Sequence, residues 1–184
     1  MATLYVMVGP PACGKSTYIK DNIKEGQKWI SRDAIRFAVM KQKNTNDYFK
    51  YEKYVFQQFV KQINDALDDG FDVYADATHI NAVSRQKLLR AITAQPDEIV
   101  YIVIGFSKEY CISNNKNRKG IEQVPNKVIY TMCDKFERPQ LKIEGGDKII
   151  YFYAKGSLSE SFPFDYTFFI TREEEELVEH LFDI

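Results

Sequence analysis

Apolar positions along the chain switch between two periods. Residues 4–8, 28–31, 71–76 and 98–106 are short apolar runs bounded by turn-forming residues, and each reads as a strand. Segments 16–24, 33–40, 47–69 and 82–94 place apolar residues three or four apart and read as helices. In the longest of these, Tyr48, Tyr51, Val55, Phe59, Ile63 and Leu67 form a stripe assigned to the core rather than to base stacking, and Gly70 stops it. Arg85, Lys87 and Arg90 are assigned to the polar side of the 82–94 helix. Further on, Ser107 caps a helix reaching about residue 117, and Pro125 opens another that runs to about residue 136. Gly145-Gly146 then turns the chain into a strand at 148–153. Strands that alternate with helices imply an α/β fold, a parallel sheet with helices on both faces.

Two segments are expected: a main domain at 1–153 and an appendage at 154–184. The appendage reads as a Gly/Ser turn, an aromatic strand-like piece at 162–170 and an acidic helix from Thr171. Glu173 to Glu176 suit the positive end of a helix dipole, as a solvated helix start and not a metal site.

Composition adds limits. No apolar run approaches the roughly 18 residues of a membrane span. Met1-Ala2-Thr3 leads straight into a strand, without the pattern of a signal peptide. Cys13, Cys111 and Cys133 are odd in number and far apart in sequence, so a reducing, cytoplasmic setting is expected, with no disulfide framework or zinc site. The net charge of −1 argues against bulk nucleic-acid binding, but it is unevenly spread. Residues 155–184 carry two basic and eight acidic side chains, a balance of −6 that leaves +5 on residues 1–154. A mildly basic body is compatible with an anionic substrate.

Gly9-Pro10-Pro11-Ala12-Cys13-Gly14-Lys15-Ser16-Thr17 fits G-x-x-x-x-G-K-[ST] at every fixed position, between a strand and a helix. Such a loop aims backbone N–H groups and a helix N-terminus at a phosphate. It implies a nucleoside triphosphate with Mg²⁺. Gly9, Ala12, Cys13 and Gly14 form the cradle, Lys15 neutralises the β and γ phosphates, Ser16 binds the metal, and Thr17 reaches the α-phosphate. Cys13 is either a small filler or an oxidation-sensitive thiol.

The acceptor side rests on residues at strand ends, which in a parallel sheet share one edge with the loop. Asp33 follows the second strand and can take a proton from an attacking hydroxyl, or simply favour a helix start. Arg36, one turn later, can hold an acceptor phosphate or be solvated. Asp76 ends an apolar strand and is a candidate for Mg²⁺ or for orienting substrate. Thr78, His79 and Asn81 follow it; Thr78 is a further candidate for holding substrate, and His79 is assigned a structural or exposed role, because phosphoryl transfer needs no histidine. Arg118 and Lys119 lie in a basic stretch between two helices. Either they are a surface turn or they belong to a helical lid that stabilises the transferring phosphoryl group.

In order and at similar spacing, the segments G-P-P-A-C-G-K-S-T, S-R-D-A-I-R, D-V-Y-A-D-A-T-H-I-N and N-R-K-G-I-E-Q-V-P resemble the P-loop kinases grouped with the phage polynucleotide 5′-hydroxyl kinase. So does Phe136-Glu137-Arg138-Pro139 followed by Glu144-Gly145. The resemblance covers residues 3–153 and implies strand order 2-3-1-4-5, ATP–Mg²⁺ as donor and a 5′-hydroxyl end of DNA or RNA as acceptor. It carries the general base to Asp33, an acceptor-phosphate contact to Arg36, the strand-end carboxylate to Asp76, and the lid residue to Arg118 or Lys119. Residues 154–184 do not share the resemblance, and a role that combines kinase with phosphatase is not expected from it. Three readings stay open: a polynucleotide kinase, a small-molecule kinase for a nucleoside, sugar or antibiotic, and a nucleotide-binding regulatory module with no acceptor.

Overall fold

A computed structural model describes residues 1–158 and 164–175 of the chain. Six strands form one sheet in the order β2-β3-β1-β4-β5-β6. The first five, β1 (Thr3–Val8), β2 (Gln27–Ser31), β3 (Asp72–Asp76), β4 (Glu98–Ile104) and β5 (Lys148–Tyr153), are parallel in the expected order. The central strand β1 is flanked by β3 and β4, so the loops leaving the C-terminal ends of these strands open onto one edge.

Side-chain alternation along β1 divides the core in two. Leu4, Val6 and Val8 face α3 (Glu52–Asp68), α4 (Ala82–Ala91) and the single turn α7 (Leu141–Glu144), through Phe59, Ile63, Leu88 and Leu141. Met7 faces α1 (Lys15–Asn22), α5 (Lys108–Asn115) and α6 (Asn126–Asp134), through Ile19, Cys111 and Ile129. Helices thus cover both faces. No helix among the described residues is long and apolar enough to cross a membrane.

Three boundaries moved for physical reasons. α2 (Arg32–Gln42) starts beside its cap Ser31, whose Oγ accepts the Ala34 N–H, so Asp33 is not needed for capping. The long helix begins at Glu52 and not at 47, because the Asp47 carboxylate accepts the Phe49 N–H and closes a local turn. Tyr48 and Tyr51 therefore fall outside the helix, whereas Val55, Phe59, Ile63 and Leu67 are buried on it as expected. Helix α4 stops at Ala91, and the Asn64 side chain of α3 accepts the N–H groups of Thr93 and Ala94.

The tail adds a sixth strand. β6 (Tyr166–Thr171) pairs antiparallel with β5, so the sheet continues past residue 153. Phe168 stacks on Tyr151 with ring centroids 4.8 Å apart, and Ile170 is buried. Phe162 and residues 176–184, on which most of the expected acidic helix falls, lie outside the described residues. Glu175 corrects the reading of a solvated glutamate run. It is buried, and its carboxylate accepts the N–H groups of Leu141 (2.6 Å) and Lys142 (3.1 Å) at the start of α7.

Candidate active site

The loop from Gly9 to Gly14 has the backbone of an anion cradle. Ala12 (φ 64°) and Gly14 (φ 111°) are left-handed, which turns successive N–H groups to one side. A Cβ on Gly9 would come within 2.6 Å of Cys13 Sγ, so that position needs glycine. Helix α1 starts at Gly14 with no capping side chain, leaving its first-turn N–H groups to an external acceptor. Lys15 is nearly buried, and its ammonium donates to the carbonyls of Gly9 (2.9 Å) and Pro10 (2.8 Å). Thr17 is exposed beside it.

Cys13 is fully buried, and burial pushes its thiol up, which suits a filler and opposes thiolate chemistry. The three cysteines, distant in sequence, meet in the core beneath the loop as free thiols.

Asp76, at the end of β3, sits against the loop. Its Oδ2 accepts from Ser16 Oγ (3.3 Å) and from the Trp29 indole N–H (3.0 Å). Burial pushes this carboxyl up, and Lys15 and the two hydrogen bonds counter it. A hydroxyl and a carboxylate at this separation are the hard oxygen donors that Mg²⁺ takes.

Asp33 lies on the same edge, close enough that its charge raises the Asp76 carboxyl further. It is well exposed, and its Oδ1 accepts from Arg36 Nη1 and from the Tyr48 hydroxyl (2.9 Å). Arg36 is buried, not solvated. It donates from Nε (3.1 Å) and Nη2 (2.8 Å) to Glu52, and Nη1 also reaches the Tyr48 oxygen (3.0 Å). The Tyr48 ring covers the guanidinium at 4.4 Å, and burial pushes its phenol up to about 12. Arg32 pairs with the other Glu52 oxygen. The sequence pattern does not mark Arg32, Tyr48, Glu52 or Trp29 as site residues. Their partners lie 12 to 47 residues away, so spacing gives no hint of them.

The segment that follows α5 is braced on the loop. Asn114 of α5 donates to the Ala12 carbonyl (3.0 Å), and buried Asn115 exchanges hydrogen bonds with both backbone groups of Val124. Between them, Arg118 is half-buried and its charge acts on Cys13 inside the loop. Lys119 is exposed at the start of the 3-10 turn Gly120–Glu122.

The loop after Asp76 has a structural role. The Gly9 N–H donates to the Thr78 carbonyl (2.9 Å), which ties the two loops together. His79 is buried with φ 41°, and its Nδ1–H donates to the Met7 carbonyl (3.0 Å). Burial pushes the imidazole down to about 3, so it is neutral. Asn81 caps α4 in a reciprocal box with Ser84. Arg85 overturns the assignment of a polar-side arginine. It is fully buried and bonds both oxygens of Glu144 (2.6 and 2.8 Å) and the carbonyls of His79, Glu137 and Arg138. Its spacing of three from buried Leu88 was the available signal.

Known proteins share this arrangement of loop and sheet. Residues 4–139 match the family described as AAA domain. An L-seryl-tRNA(Sec) kinase of Methanococcus maripaludis is 27% identical over 150 residues, covering 76% of this chain and 54% of the relative. The chain thus spans about half the length of that relative. A chain of the Pnkp1/Rnl/Hen1 RNA repair complex superposes with a TM-score of 0.62 at 20% identity, over 73% of this chain and 43% of that one. A gluconokinase from Sinorhizobium meliloti 1021 gives 0.51 at 15% identity, over 82% of each chain. These two likenesses are of fold alone. With residues 4–139 matched, the chain belongs to the AAA domain family.

Proposed function

We propose that this chain is an ATP-dependent phosphotransferase that moves the γ-phosphate of ATP to the 5′-hydroxyl end of DNA or RNA. The observation that carries the reading is Asp33, an exposed carboxylate held by Arg36 and Tyr48 on the edge that bears Lys15, Ser16 and Asp76. Two of the similar proteins are named for RNA, one as a seryl-tRNA kinase and one as part of an RNA repair complex.

In this reading the acceptor oxygen attacks the γ-phosphorus as its proton passes to Asp33, and the bond from that phosphorus to the bridging oxygen of ADP breaks. Lys15 turns from the Gly9 and Pro10 carbonyls to the β and γ phosphates, and Arg118 closes over them. Ser16 and Asp76 would hold Mg²⁺, which supplies positive charge against the phosphate oxygens. Arg36 and Tyr48 fix the direction in which Asp33 faces, and Arg36 reaches an acceptor phosphate only where Glu52 yields it.

That last condition favours a second reading, a kinase for an uncharged small molecule, because Glu52 and Asp33 already balance Arg32 and Arg36. Transfer of labelled γ-phosphate across 5′-hydroxyl DNA and RNA, mononucleotides with and without a 3′-phosphate, and simple sugars separates the two. Labelling confined to sugars or free nucleosides sinks the first reading. Tight ATP binding with no acceptor labelled leaves the regulatory module. For whichever acceptor is used, Asp33→Asn is expected to slow transfer roughly 100- to 10,000-fold while ATP still binds, and near-full rate would remove Asp33 as the base.

A further inference from the structure

We propose that Phe49 and the lysines around it form a platform that holds single-stranded nucleic acid beyond the reacting nucleotide. This rests on the polynucleotide reading above and adds to it a second contact, outside the acceptor pocket. The residues that carry it lie in the connection between α2 and α3.

Phe49 is 69% exposed, the most exposed aromatic ring among the described residues. Its ring packs edge-on against Tyr48 at 4.9 Å, and Tyr48 is the residue whose hydroxyl donates to Asp33. An open aromatic face therefore lies one ring away from the residue that orients the proposed base. Lysines flank that ring along the chain. Lys41, Lys43, Lys50 and Lys53 are all exposed, and none of them is ion-paired among the described residues. The acidic residues of the same stretch are Asp47, exposed, and Glu52, which is committed to Arg32 and Arg36.

Backbone geometry gives these charges a direction. Asp33 is in the first turn of α2, and Lys41 is eight residues further along it, about 12 Å by helical rise. Residues 43–48 return along the same helix, where Tyr48 meets Phe37 at 6.2 Å. Lys41 and Lys43 thus lie at the far end of α2 from Asp33, and the chain returns from them to the open ring beside Tyr48. A groove of positive charge that follows the backbone, with an aromatic face for a base, is how single strands are held without sequence preference. An apolar protein partner would leave four ammonium groups without counter-ions to be desolvated, so charge complementarity favours the polyanion.

The test compares two 5′-hydroxyl acceptors, thymidine 3′-monophosphate and an octamer of thymidylate, with the full chain. Phe49→Ala should lower kcat/KM on the octamer about 10-fold more than on the mononucleotide, the usual scale of removing one base stack. Phe49→Trp should recover the octamer preference, and the octamer should quench the added emission. Equal losses on both acceptors, or no loss, would overturn the platform. If neither acceptor is phosphorylated the polynucleotide reading fails, yet anisotropy of a labelled octamer still decides whether the platform exists. Binding weakened about 10-fold by Phe49→Ala supports it, and unchanged or undetectable binding at low salt overturns it. Replacing Lys43 and Lys50 by glutamine should flatten the log K against log salt slope by about 0.7 for each phosphate that is no longer neutralised, and an unaltered slope also counts against it.

Discussion

Glu144→Gln should be among the most damaging conservative substitutions in this chain. Arg85 has five N–H donors, and all five are engaged: Nε and one Nη2 hydrogen on Glu144, both Nη1 hydrogens on the carbonyls of His79 and Glu137, and the last on Arg138. The Arg85 side chain has 0% and that of Glu144 2% of its surface exposed, so water replaces none of these bonds. Removing the negative charge leaves a guanidinium buried without a counter-ion, which costs about 3–5 kcal/mol. Glutamine also turns an NH₂ toward one of the donors that Glu144 now accepts. For a domain of this size the loss corresponds to a fall in Tm of roughly 6–20 °C. Thermal unfolding at pH 7, followed by circular dichroism with urea titration as a check, measures it. The double replacement Arg85→Met with Glu144→Leu distinguishes this network from a bare ion pair. A bare pair replaced by apolar residues is close to neutral. Here three carbonyls lose a partner, at about 1–3 kcal/mol where they stay buried, so the double variant should remain destabilised. A Glu144→Gln protein that melts within about 2 °C of the parent would refute the reasoning.

Two further outcomes follow from the site. His79 is held neutral, with its folded value near 3 against 6.5 for the free side chain. Its contribution to stability is complete above pH 6.5 and is lost as pH falls toward 3, by about 2 kcal/mol between 6.5 and 5. Asp76, raised by burial, runs in the opposite sense. The comparison with His79→Asn, which keeps an N–H donor for Met7 and tolerates the positive φ, therefore isolates the histidine. Unfolding midpoints of the two proteins at pH 7 and pH 5 should show a steeper fall in the parent, and parallel profiles would remove His79 as the source. For the proposed transfer, Arg118→Ala should cost roughly 100- to 1,000-fold in kcat and Lys119→Ala far less. The reverse order in steady-state kinetics would move the role proposed for Arg118 to Lys119.

Much of the architecture was legible from local pattern. The parallel order of five strands follows from alternating strand and helix periods together with the resemblance, and the phosphate loop is a contiguous motif whose geometry depends on its own glycines and Ala12. Tyr48 shows where such reading ends. Its spacing matched the helix that follows, but its hydroxyl is engaged by Asp33 and Arg36, and the helix starts four residues later. Arg85 shows the same for charge, since an arginine reads as polar until a counter-ion 59 residues away makes burial tolerable. The aromatic tail was visible as strand-like, yet only pairing with β5 made it part of the sheet.

By itself, then, the sequence determined the features that depend on neighbours along the chain: the periods, the cap at Ser107, and the phosphate loop. Tertiary structure decided what depends on charges and hydrogen bonds meeting across the fold. Arg36 is shared among Asp33, Tyr48 and Glu52, Arg85 is buried on Glu144, and Glu175 caps a helix more than thirty residues upstream. The reason is that a buried polar group is stable only with its partner in place, and the sequence carries no local trace of which distant residue that partner will be.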